Sequence, residues 1–172
     1  MPGRQGPREV KKPEGLKRLL LAAVPGLAAD PTRLAMFIDK GKLATRANGS
    51  LSFEYSYTLN IVVQDYSGEI DDLMVPLLAW ISEQQPDLLE RDPREPFTFE
   101  SEILDSDAAD VSIDLELTEA VRVVRKPEGG FTATHLDEPG RDDAFDGVCG
   151  VNLWRLLLLE DMVQPTVTAI PE

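Results

Sequence analysis

The run LSFEYSYTLNIVVQDY, Leu51 to Tyr66, decides the fold. Leu51, Phe53, Tyr55, Tyr57, Leu59, Ile61 and Val63 occupy every second position, with Ser52, Glu54, Ser56, Thr58 and Asn60 between them. Successive side chains of an extended chain point to opposite faces, so this spacing makes one apolar and one polar face over a long stretch. A helix would scatter the same residues around its axis. The run therefore predicts a long strand at the centre of a half-buried sheet.

Working outward, Ser67 is placed to cap a helix over 68–85, whose Ile70, Leu73, Met74, Leu77, Leu78 and Ile81 recur at helical spacing. Pro76 falls inside that pattern and predicts a bend, unless the regular helix begins only near Val75. Trp80 lies beside the stripe and reads as core. FTFESEILD (97–105) and ADVSIDLELTEAVRVV (109–124) both alternate and predict an antiparallel pair, with Val111, Ile113, Leu115 and Leu117 facing inward. Gly129-Gly130 permits a tight reversal into FTATHL, extending the pair to a meander. Upstream, Leu16, Leu19, Leu20 and Ala23 predict a helix from Pro13 to Val24, stopped by Pro25-Gly26. LAMFIDKGKLATR (34–46) predicts a strand or a short hairpin around Lys40-Gly41, and Asn48-Gly49 a second turn.

These elements amount to an α+β class, a mixed, mainly antiparallel sheet packed by two helices. With 172 residues, 42% hydrophobic and 28% charged, one core of ordinary domain size is expected. The basic, Pro- and Gly-rich start (1–12) reads as a flexible arm without the apolar region of a secretory signal, so a cytoplasmic origin is expected. Residues 13–136 read as the folded domain and 137–150 as an acidic linker. Residues 151–172 read as a C-terminal extension. VNLWRLLLLEDMVQPTV within it suits either a short helix or a two-stranded ribbon, with the ribbon favoured slightly. Trp154, Arg155, Leu156 and Leu158 are its candidate interface residues, since aromatic anchors are enriched at interfaces.

A formal charge of −14 opposes both DNA phosphates and anionic membrane surfaces, and no apolar run approaches the ~20 residues that span a bilayer. Cys149 is the only cysteine, which excludes an internal disulfide and thiolate-rich metal sites. Nucleophilic hydrolysis needs a nucleophile, a base and a group orienting the base. His135 is the only imidazole, no GxSxG-type elbow surrounds it or Cys149, and it reads as an ordinary surface or core histidine. Asp105, Asp107 and Asp110 crowd one loop, but Ala109 breaks the calcium-loop pattern, so a solvated turn is expected there. Lys40-Gly41-Lys42 is a turn with two lysines rather than a phosphate cradle. No catalytic residue, cofactor or metal is expected.

LSFEYSYTLNIVVQDYSGEIDDLMVPLLAWISEQQPDLL (51–89) strongly resembles the tail completion protein R family of temperate contractile-tailed bacteriophages. The likeness extends through LKRLLLAAVPGLAADPTRLAMFIDKG upstream and FTFESEILDSDAADVSIDLELTEAVRV downstream, about residues 14 to 136 in all. The resemblance implies a terminator-like α/β subunit and a structural role at the head-proximal end of the virion tail, after assembly in the host cytoplasm. Proteins in that position form a ring, expected to be a hexamer, that caps tube and sheath. The implied partners are copies of itself, the tail tube protein, the tail sheath protein and the head-tail connector, with DNA only as passing cargo and no membrane. Two rival classes stand beside this reading: an acidic DNA mimic, which needs carboxylates in regular rows on an exposed face, and a carboxylate enzyme, which needs convergent acids in a cleft.

Overall fold

A computed structural model describes residues 10–46, 49–104 and 107–138. The predicted central strand is there as β2 (Phe53–Tyr66), flanked by β1 (Leu34–Thr45) and β4 (Ala109–Arg125). On its other edge, β4 pairs with β3 (Thr98–Ile103) through its first residues and with β5 (Phe131–His135) through its last. Every one of these pairings is antiparallel, so no strand makes the sheet mixed. The strand order is β1-β2-β4-β3, with β5 beside β4.

Two long helices, α1 (Lys12–Ala23) and α3 (Asp71–Gln84), cover one face, joined by the short α2 (Pro25–Ala29) and α4 (Asp87–Glu90). Leu16, Leu19 and Leu20 of α1 and Leu73, Leu77 and Ile81 of α3 share one core with Leu59, Ile61, Val63, Ile113, Leu115 and Leu117. At about 1.5–3 kcal/mol per fully buried large apolar side chain, this burial rather than helix propensity holds the layers together. The alternation in β2 and β4 set that face, and their register aligns it: Leu59 lies opposite Leu115 and Ile61 opposite Ile113.

The structure decides or changes local expectations in three places. Residues 34–46 form the strand and not the hairpin; β1 runs straight through Lys40-Gly41, where two residues oppose Tyr57 alone and Lys40 takes a φ of 52°. That is a β-bulge, which the same turn-prone residues serve equally well once β2 continues alongside. A second bulge near Asp65 (φ 49°) shifts the parity of β2, so that Val63 and Tyr66 are both buried. The third change is in α3. Ser67 does not cap it; the helix begins at Asp71 behind Ile70, with Asp71 and Asp72 in a first turn whose dipole favours acids. Pro76 lies inside α3 and is buried along with Trp80, whereas Leu78 is 40% exposed. The six-residue stripe was wider than one helix face. Its true centre runs through Leu73, Leu77 and Ile81.

Candidate assembly surfaces

The best-built polar feature is Glu119, which stands in β4 between Leu117 and Val121 and is only 3% exposed. Its parity sends it to the core face, directly under the start of α1. There its carboxylate accepts hydrogen bonds from the backbone N–H groups of Lys11 and Lys12, both at 3.0 Å, and from the Tyr57 hydroxyl at 2.6 Å. His135 Nδ1 lies 2.8 Å from the other side of the carboxylate. Because α1 has no capping side chain of its own, Glu119 supplies from a distant strand the anion its exposed N–H groups require. Burial pushes the Glu119 carboxyl up, but the bonds from Tyr57, Lys11, Lys12 and His135 outweigh it and hold the group below its ordinary value. Tyr57 is pushed well above a free phenol, first by burial and then by that carboxylate.

Beside this cluster, β4 has a gap between its β3 and β5 partners. Gln85, 1% exposed at the end of α3, fills it: its Oε1 accepts from the Thr118 N–H at 3.1 Å and its Nε2 donates to Thr118 Oγ1 at 3.0 Å and to Asp87. Lys12 Nζ donates to Gln85 Oε1 at 2.8 Å and pairs with Glu138 at 2.6 Å, while Lys11 pairs with Asp137 at 2.9 Å. A cleft of about 250 Å³ opens here among Lys11, Arg18, Trp80, Glu119 and His135. Glu119, His135, Lys11, Lys12, Asp137 and Glu138 along it are all engaged with one another or with the chain, which describes a clamp better than a reaction site.

Three surfaces remain open. The sheet face away from the helices carries Glu54, Ser56, Thr58, Ser112, Asp114, Glu116, Glu100 and Glu102, an acidic and hydroxyl-rich surface with Asn60 bonded across to Asp114. On the helix side, the sheet runs on past α1, leaving a shallow apolar recess of about 380 Å³ among Val10, Ile38, Leu43 and Tyr55, and Phe131 stands 57% exposed at the far end of β5. The outer strands β1 and β3 are exposed along nearly their whole length, including Phe37 and Ile38 on one and Phe99 and Ile103 on the other.

The candidate interface residues Trp154, Arg155, Leu156 and Leu158, with Cys149 and Asp105, lie outside the described residues. Asp110 accepts a hydrogen bond from the Asp65 N–H and so braces the second bulge. Among the described residues no three His, Cys, Asp or Glu side chains are grouped to hold a metal. His135 is joined to Glu119, a partner the sequence reading missed. The signal was available: position 119 shares the inward parity of 111, 113, 115 and 117, so a glutamate there had to find buried donors.

The family model described as P2 phage tail completion protein R (GpR) matches residues 10–139, nearly the whole described fold. Tail completion protein R of Escherichia phage P2 is 41% identical over 130 residues, covering 74% of this chain and 83% of that protein. No solved structure matches. The sheet, the helices packed on it and the Glu119 cluster all fall within the matched span, and the chain belongs to the phage P2 tail completion protein R family.

Proposed function

We propose that this protein is a structural virion component that completes the phage tail, by closing into a ring that caps tube and sheath and meets the head connector. The observation that carries the reading is the 41% identity to a tail completion protein across the folded domain. A ring needs heterologous contacts whose rotation closes, so each subunit must offer two different complementary surfaces. Exposed β1, exposed β3 and the apolar recess supply surfaces of that kind. In this reading the acidic sheet face lines the lumen, where repulsion of phosphates lets DNA pass without sticking. Residues 151–172 form an interaction segment that lies on a neighbouring subunit, tube or sheath, anchored by Trp154 and Leu156.

Negative-stain imaging and sedimentation of the purified chain test the proposal. Rings near the width of the tail are expected, and a chain that stays monomeric and never joins assembled tails would reject it. Deleting residues 150–172 is expected to impair ring formation or tail joining; unchanged oligomer size and joining would reject the role of the segment. DNA affinity at low salt would reject the acidic lumen. The rows of carboxylates on β3 and β4 also favour a second reading, a DNA mimic, which predicts a monomer that competes with DNA for a basic protein.

A further inference from the structure

The two outer strands of the sheet are the most unusual surface of the molecule. Among the described residues no strand flanks β1 or β3 on its far side. Edges are normally kept short, charged or covered. Here they carry large apolar side chains: Phe37 is 52% exposed, Phe99 52% and Ile103 79%. The bulge at Lys40-Gly41 divides β1, leaving Leu34–Asp39 as a regular six-residue segment, the length of β3.

We propose that β1 of one copy pairs antiparallel with β3 of the next, continuing the sheet from subunit to subunit. This rests on the ring reading and deepens it by naming the contact. Three observations argue for a second copy as the occupant. First, three successive antiparallel steps separate β1 from β3, so the two edges run in opposite directions. A neighbour related by rotation about an axis along the strands therefore presents β3 antiparallel to β1 and preserves the alternation. Second, the faces agree. Leu34, Met36 and Ile38 lie opposite Val63, Ile61 and Leu59 on the core face, and Phe99, Ser101 and Ile103 lie opposite Ile113, Val111 and Ala109 on that same face. Matching the two six-residue segments sets exposed Ile38 against exposed Phe99 and brings exposed Ile103 beside Leu34, which the subunit's own core already buries.

Third, the charges are complementary. In this register exposed Lys42, just past the bulge on β1, falls near exposed Glu95 on the approach to β3. A β1–β1 contact would bring like charges together. A β1–β3 contact joins opposite ones, which favours a head-to-tail neighbour over a two-fold dimer.

Oxidative cross-linking of the full chain tests the contact, in a Cys149→Ser background. A chain carrying both Ile38→Cys and Phe99→Cys is expected to give a ladder of covalent multimers on a non-reducing gel. Two strands lie between these positions within one subunit, too far for an internal disulfide, so each link joins copies. Each single-cysteine chain is expected to give no ladder, and an equal mixture of the two only dimers. As a second handle, Lys42→Glu is expected to weaken self-association several-fold, and adding Glu95→Lys to the same chain to restore it. Dimers from Ile38→Cys alone would reveal a β1–β1 contact and overturn the proposal. Slow amide exchange along β1 in the monomer would assign the edge to the chain's own residues 139–172, and would also overturn it. Rings without cross-links would overturn the contact and leave the ring reading standing, whereas a wild-type chain that is monomeric at high concentration would overturn both.

Discussion

Replacing Glu119 by alanine removes one side chain and strips four donors of their acceptor. The Tyr57 hydroxyl, bonded at 2.6 Å, is left in the core, and a buried donor without a partner costs about 1–3 kcal/mol. The N–H groups of Lys11 and Lys12 lose the anion that caps α1, worth about 1–2 kcal/mol. With some rehydration near partly exposed His135, the loss is on the order of 2–5 kcal/mol, a large part of the roughly 5–15 kcal/mol typical of a domain. At about 3–5 °C per kcal/mol for a domain of this size, the melting temperature should fall by about 10–20 °C. Urea unfolding followed by far-ultraviolet circular dichroism measures this, with Tyr57→Phe expected to cost less because three donors keep their acceptor. The effect also has a pH signature. Because the Glu119 carboxyl titrates below its ordinary value of 4.5 when folded, its contribution is complete above that value and is lost as pH falls below it. The gap in stability between wild type and Glu119→Gln should therefore be widest near neutrality and shrink in acid. A cost below about 1 kcal/mol for Glu119→Ala, or a gap that grows in acid, would refute the assignment of Glu119 as the cap of α1.

Other outcomes follow from the same geometry. Gln85→Ala leaves the Thr118 N–H and Lys12 Nζ without their acceptor inside the gap in β4; a loss of about 2–4 kcal/mol is expected by urea unfolding, with faster amide exchange at Thr118. Two glycines should respond with opposite signs in thermal melts. A Cβ at Gly15, in the interior of α1, meets nothing within 4 Å, so Gly15→Ala should stabilise by about 0.5–1 kcal/mol, whereas a Cβ at Gly68 would lie 2.6 Å from Oη of buried Tyr66 and Gly68→Ala should destabilise by about 1–3 kcal/mol. Each subunit carries a formal −14, so self-association measured by sedimentation should tighten several-fold as salt rises from low to physiological concentration; weakening over that range would contradict dominant self-repulsion.

Much of the fold was legible because it rests on periods of two. The alternation of 51–63 and 109–124 identified both central strands and the side chains they bury, since a register slip of one would turn every core residue to solvent. Helix α1 was equally readable from Leu16, Leu19, Leu20 and Ala23. What could not be read was set by contacts distant in sequence. Lys40-Gly41 is locally the same in a hairpin and in a bulge, and only β2 running alongside decides between them. Local sequence also did not reveal that β3 and β5 share one edge of β4, which makes Gln85 a bridging residue. Glu119 was legible as an exception to inward apolar parity, but three of its four donors come from positions 62 and more than 100 residues away. The open surfaces were half visible: outward carboxylates follow from alternation, whereas the strand order that leaves β1 and β3 outermost does not.

The ion pairs Lys11–Asp137 and Lys12–Glu138 bring the first and last described parts of the chain side by side. The gene's reading frame could accordingly be circularised: a few glycine and serine codons joining Val10 to Glu138, with new ends cut at the Gly129-Gly130 reversal, should yield a permutant with the same architecture.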